Sequence, residues 1–173
     1  AVQWHQDLAY FPHTNDSLVT ALIYLDDANL ENGCLQVVPG LHRSYLDHHD
    51  EAGRFSGLIT DSAFESTDSL ARALPGSAGS VILMHCLLPH SSLPNHSSSA
   101  RRTLIFEYRA SDALPILYST RAAGTEEKAR LLRGSPAQFA RLAGPPPRIP
   151  HLDNNKSLYQ LQEETEAGKK PGD

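Results

Sequence analysis

Cysteine is scarce, with two residues in a chain of 173. Cys34 lies in GCLQVV and Cys86 in VILMHCLL, apolar settings that suit buried free thiols. A small secreted scaffold would carry a denser disulfide framework, so a reducing compartment and a cytoplasmic location are expected. Excess positive charge is missing too: 15 Lys and Arg stand against 20 Asp and Glu, a formal net charge of −5. The cations are scattered, and without a basic face to release counterions nucleic acid is not an expected partner. No apolar run reaches the 18 or more residues of a membrane span, and the start AVQWHQDLAY has no basic region followed by an apolar one. A soluble, untargeted chain without a membrane partner is the expectation.

What remains is an ordinary domain with one excess. Apolar residues make up 40% and charged residues 20%, and a chain of this length buries a sizeable core. The excess is histidine, of which there are nine. Leu18–Leu25, Cys34–Val38, Ser80–His85 and Thr103–Tyr108 are short runs rich in Val, Ile, Leu and Tyr. Turn residues bound them (Asp26-Asp27, Asn32-Gly33, Pro39-Gly40, Pro75-Gly76, Pro94-Asn95), a pattern that predicts a β-sandwich or barrel. Residues 41–78 read as a long polar loop with at most one helical turn, of the size that usually serves as a lid. Thr125–Leu132 is expected to form a short helix with a Thr cap and acids in its first turn, and Pro136–Leu142 a second. The polar tail from Asn154 is expected to be loose except at Leu158-Tyr159. The resulting division is a core over 1–112, a helical extension packed on it over 113–153, and a tail over 154–173.

The sharpest local feature is Trp4-His5-Gln6-Asp7. On a strand, residues two apart share a face, so His5 and Asp7 can approach one ion together. That spacing alone equally fits solvated residues near a terminus. Downstream, HCLLPHSSLPNHSSSARR supplies His85, His90 and His96, followed by Arg101 and Arg102. Two His and one carboxylate with the other positions open are the ligand set of non-haem Fe(II) oxygenases. An Arg fork suits the distal carboxylate of a keto-acid co-substrate.

Together, WHQD, DDANLENGCLQVVPGLHR and HCLLPHSSLPN with an Arg eleven residues after its second His resemble the phytanoyl-CoA dioxygenase family over about Trp4 to Ala110. The resemblance implies an all-β double-stranded β-helix, or cupin-like jelly roll, with iron and 2-oxoglutarate as cofactor and co-substrate. It implies His5, Asp7 and His90 as iron ligands. Arg101 and Ser92 would hold 2-oxoglutarate, with Gln6 and Asn95 at family positions near that site. No catalytic group beyond the metal centre is implied. His85 fits a family position that is structural or behind the ligands, with Cys86 replacing a Pro, and His42 lies in a turn, PGLH, where a backbone-bonding role is expected. His13, His48, His49, His96 and His151 are expected to be solvated. Two departures stand out: Leu22 replaces a Trp common in relatives, and only four residues precede His5, so that the N-terminal part of the fold is expected to be missing or supplied by a partner chain.

The implied reaction converts 2-oxoglutarate and O2 to succinate and CO2 while a substrate C–H bond is hydroxylated. Retention of Asp7 favours hydroxylation over halogenation. If the strand after Arg101 alternates, Arg101, Thr103, Ile105, Glu107 and Arg109 share one face and Leu104, Phe106 and Tyr108 the other. Glu107 and Arg109 would then lean toward the cavity, favouring a small polar or anionic substrate over an acyl chain, or would pair on its rim. Tyr10, His13 and Asn15 are the other candidates for the pocket lip. Three classes compete: an active 2-oxoglutarate hydroxylase, a non-oxygenase metal protein of cupin type, and an inactive fragment. A carboxylate clamp at Arg101 and Ser92 argues for the first.

Overall fold

A computed structural model describes residues 1–116, 129–145, 148 and 158–168. Its strands are β1 (Val2–His5), β2 (Leu18–Tyr24), β3 (Leu35–Val37), β4 (Arg72–Ala73), β5 (Val81–His85), β6 (His90–Ser92) and β7 (Thr103–Arg109). They form two antiparallel sheets, one ordered β1-β6-β3-β4 and one ordered β5-β2-β7. All four strands expected from the sequence are present. The short β1, β4 and β6 have too few residues to show a period.

The two sheets close on a shared apolar layer. Leu18, Thr20, Leu22 and Tyr24 alternate along β2, all buried, and Leu22 and Tyr24 meet Met84 of β5 and Leu35 and Val37 of β3. β-branched and aromatic side chains suit such a pleated, half-buried surface. Each large aliphatic side chain buried here contributes about 1.5–3 kcal/mol. Leu22 is part of this layer, so the position is filled by core packing. This is the jelly-roll arrangement expected. Both cysteines are free and buried. Burial pushes the Cys86 thiol up to about 12 and raises that of Cys34, which leaves both unreactive.

Residues 41–78 are no open lid. The segment holds more than the one helical turn expected: α1 (Ser62–Glu65), capped by the Asp61 side chain accepting from Ala63 N–H, is followed by a 3-10 turn (Asp68–Leu70) and β4. Phe55, Ile59 and Phe64 are buried, and Phe64 meets Trp4 edge-on with ring centroids 5.6 Å apart. The segment is held by apolar anchors that its polar average conceals.

The C-terminal expectations are revised. Of the helix expected over Thr125–Leu132, residues 125–128 lie outside the described residues, and 129–132 form no helical turn. Residues 136–142 are also not helical. That segment is tied down by Arg141, whose guanidinium donates to Asp112 Oδ2 at 2.9 Å and Ser17 Oγ at 2.7 Å. The short helical signals there are too weak to hold a helix against such local bonding, since isolated helices this short are marginal in water. Conversely, the tail contains helix α2 (Leu158–Gly168), docked through polar groups. Gln162, 4% exposed, accepts from Gln3 N–H at 2.9 Å and donates to Gly57 O at 2.8 Å, while Thr165 donates to Ser56 O at 3.0 Å. Tyr159, expected to be an anchor, is exposed. Among the described residues, no helix is long and apolar enough to cross a membrane. Replacing Gln162 by Ala removes its bonds to Gln3 N–H and Gly57 O and is expected to cost about 1–2 kcal/mol in urea denaturation.

Candidate metal centre

The site is built by one register. In β6, His90 lies directly opposite His5 of β1, and Ser92 opposite Val2. Four residues of β1, Val2–His5, therefore span three of β6, an irregularity of the bulge kind that bends a strand and re-aims its end. β1 ends at His5, and Asp7 begins a 3-10 turn, Asp7–Ala9. The His-x-Asp pair does not share a strand face as expected; the turn brings the carboxylate back beside the two imidazoles.

His5, Asp7 and His90 are all buried, and their donor atoms lie within 4.8 Å of one another. Asp7 Oδ1 stands 3.5 Å from His90 Nε2 and 3.9 Å from His5 Nε2, and the two imidazole centroids are 4.1 Å apart. Each ring is oriented from behind. His5 Nδ1 bonds Gln3 O at 2.8 Å and His90 Nδ1 bonds Leu88 O at 2.9 Å. A carbonyl only accepts, so each Nδ1 carries the hydrogen and each Nε2 turns a lone pair to the common point. Burial, reinforced by the neighbouring His90, holds the His5 pKa well below its usual value and keeps it neutral, as a ligand must be.

The residues match the family model for phytanoyl-CoA dioxygenase over 1–103. The chain belongs to the phytanoyl-CoA dioxygenase family. It is 42% identical, over 67% of its length and 42% of the relative's, to a probable alpha-ketoglutarate-dependent hypophosphite dioxygenase of Stutzerimonas stutzeri. It is 33% identical to a methylphosphonate hydroxylase of Gimesia maris, over 61% of its own length and 38% of that protein's. Among solved structures it resembles a non-heme alpha ketoglutarate dependent carbocyclase from nogalamycin biosynthesis, with TM-score 0.53 and 26% identity over 79% of this chain and 52% of that one. The chain thus spans about half or less of the length of these relatives.

In this member of the family, Arg101 and Ser92 lie in contact. Arg101 Nη2 lies 3.3 Å from Ser92 Oγ, and its Nε donates to Asn32 O at 3.1 Å. The asparagine loop that offers this carbonyl is rigid. Asn29 and Asn32 exchange side-chain to backbone bonds, and Gly33, at φ +76°, sits where a Cβ would overlap the Leu93 carbonyl. Ser92 and His90 are two apart on β6 and share one face of it, so one short strand carries a metal-ligand candidate and a candidate for the co-substrate site.

Gln6 is placed differently from the expectation. Fully buried, it spends both amide hydrogens on Ser44 O and Leu87 O and its oxygen on Leu46 N–H. These bonds fasten 44–46 to the ligand turn. Asn95 is exposed and caps its own turn through Ser97 N–H. His85 accepts from Leu87 N–H at 3.2 Å and packs on His42 with centroids 5.8 Å apart, outside the ligand trio. Asn15 is buried in bonds to Asp112 O and Arg141 O, and Tyr10 lies edge-on to His5 with its hydroxyl on Gly57 O. Neither forms an open lip.

Three histidines expected in solvent are buried. His13 bonds Phe11 O, His49 bonds Asp47, and His48 accepts from Gln6 N–H at 3.0 Å while its Nδ1 bonds Leu46 O. Their polar sequence neighbours misled the expectation; the aromatic ring of Phe55, which packs on both His48 and His49, comes from further along the loop. His96 is exposed as expected, and His151 lies outside the described residues.

On β7, Glu107 does face inward, opposite Thr20, and its carboxylate lies 2.8 Å from the Thr20 hydroxyl. The residue is exposed along the edge strand, yet burial of its carboxyl end and the nearby Asp7 charge push its pKa up to about 7. Arg109 donates to the Ala113 and Ala110 carbonyls, fastening the turn after β7. Thr20 is a hydroxyl residue at a core-facing position of LVTALIY, and that is the one signal in the sequence that marks it.

Acid should open the turn that carries the ligands. Burial lowers the His48 pKa to about 4, against about 6.5 in the unfolded chain. The unfolded state therefore binds more protons between these values, and this contribution, complete above pH 6.5, is lost as pH falls toward 4. His48→Gln is expected to reduce proton uptake on unfolding near pH 5 by about one, measured from the pH dependence of urea stability.

Proposed function

We propose that this chain carries the catalytic core of an Fe(II)- and 2-oxoglutarate-dependent dioxygenase that oxidises a small polar or anionic metabolite. The observation that carries the reading is the donor set: two imidazole Nε2 atoms and one carboxylate oxygen, all buried, each His fixed by a backbone carbonyl. Two His and one carboxylate fit ferrous iron with open positions, whereas a structural zinc site would be closed by a fourth ligand. His5, Asp7 and His90 would hold the ion. When bound, iron with 2-oxoglutarate and O2 supplies the oxidising power, releasing succinate and CO2 and adding oxygen to the substrate.

The protein's own contribution is placement. Arg101, steadied by Asn32 O and Ser92 Oγ, presents a charged fork for the distal carboxylate of the co-substrate. A cupin-type metal protein of another kind has no use for that clamp. Gln6 and His48 act at one remove, clamping the 44–48 segment to the ligand turn; the co-substrate role passes to Arg101 and Ser92. Arg109, committed to backbone carbonyls, is not the substrate's anion receptor, and the polarity of the substrate is supported by the relatives named for hypophosphite and methylphosphonate. Hydroxylation of an aliphatic C–H bond is the reaction expected from the family resemblance, and a hydrogen on phosphorus is the alternative that the first of these relatives brings in.

Anaerobic titration with Fe(II) and 2-oxoglutarate tests this reading. A charge-transfer absorption that requires both is expected, and its absence in folded protein overturns the proposal. His90→Ala should abolish it and His96→Ala should leave it unchanged. Arg101→Ala should weaken 2-oxoglutarate binding by about 30-fold or more (~2 kcal/mol) while leaving metal binding in place. Succinate release with hypophosphite, methylphosphonate and a neutral amino acid then separates the substrate classes.

A further inference from the structure

The two oxygens of Asp7 have different surroundings. Oδ1 is the atom that faces His5 and His90, at 3.9 and 3.5 Å from their Nε2 atoms. Oδ2 accepts a 2.7 Å hydrogen bond from the Thr20 hydroxyl. Thr20 is 2% exposed, so water does not compete for this bond. Its side chain is aimed by three constraints. It sits on the central strand of its sheet, paired with Met84 on one side and Glu107 on the other, and a β-branched side chain has few χ1 choices.

The same hydroxyl lies 2.8 Å from Glu107 Oε2. A hydroxyl has one proton and two lone pairs, so between two carboxyl groups it can donate to only one. Both contacts are hydrogen bonds when one carboxyl carries a proton and donates to Thr20 Oγ1. Glu107 lies exposed on the edge strand, where water can supply its carboxylate with donors, whereas Asp7 is buried. The hydroxyl proton is then left for Asp7 Oδ2.

We propose that Thr20 is a positioning residue of the metal centre: by occupying Asp7 Oδ2 it makes the carboxylate a one-oxygen ligand through Oδ1 and keeps a coordination position open. The inference rests on the metal reading above. Asp7 is the ligand whose denticity is free, since an imidazole turned by its Nδ1 bond offers one nitrogen whereas a carboxylate can bind through one oxygen or two. A second Asp7 oxygen on the ion would take a place that the co-substrate or O2 needs.

Co(II) is the probe, because its absorption reports coordination without turnover. Wild type, Thr20→Val and Thr20→Ser are compared by Co(II) binding curves and ligand-field spectra. Thr20→Val, nearly isosteric and without the hydroxyl, is expected to bind Co(II) about 10-fold more weakly or worse, as loss of an outer-shell partner does. Its spectrum should shift in energy and intensity, and Thr20→Ser should return both toward wild type. Equal affinity and an identical spectrum in wild type and Thr20→Val overturn the role of Thr20 and leave the metal site standing. No Co(II) binding by folded wild type overturns the metal reading itself. If Thr20→Val does not fold, the infrared difference spectrum of wild type on Co(II) loading decides: a one-oxygen carboxylate pattern is expected, and a two-oxygen pattern overturns the proposal.

Discussion

The metal centre depends on the pairing of His5 with His90 across β1 and β6. β6 is three residues long and lies between β1 and β3, so its register is held from both sides. A one-residue slip on either side would turn the imidazoles to opposite faces, because side chains alternate with period two. The irregular spacing between Val2 and His5 lets β1 bend enough for its last residue to meet His90 while Asp7 leaves the strand. Burial of all three side chains then removes water as a competitor, and the carbonyls of Gln3 and Leu88 decide which imidazole nitrogen faces inward.

From that pairing the rest of the interior follows along two strands. β6 carries His90 and then Ser92. β2, in the opposite sheet, carries Thr20 beside Asp7 and Tyr24 further along, whose hydroxyl bonds Leu74 O and receives Leu35 N–H. Arg101 enters at the far end, against Ser92 and Asn32. The core residues Leu22, Val37 and Met84 pack together in the apolar layer between the two sheets.

The loop over 41–78 is a working part of the same construction. Gln6 stands between two ligand candidates in sequence and faces away from them, and its amide together with His48 ties that loop to the ligand turn. Helix α2 ties it again from outside, through Gln162 on Gly57 and Thr165 on Ser56. The outer face of the β5-β2-β7 sheet is different in kind: Val19, Val81, Leu83, Leu104, Phe106 and Tyr108 lie exposed there, and β7 is an edge strand.

The sequence by itself determined the strands β2, β3, β5 and β7, their bounding turns and two thiols in apolar surroundings, and its family motifs singled out His5, Asp7, His90, Arg101 and Ser92 as candidates. These were legible because local periodicity and motif spacing survive in the primary order. Tertiary structure alone decided that Asp7 approaches from a turn, that Gln6 holds a loop, that His13, His48 and His49 are buried, and that α2 docks where a loose tail was expected. Several of these depend on groups that local sequence does not reveal: Cys86 O receives Leu8 N–H, Phe55 packs on His48 and His49, and Gln162 bonds Gln3 N–H. Burial and hydrogen-bond satisfaction are properties of neighbours in space, and polar residues in particular read as solvated until the group that satisfies them is known.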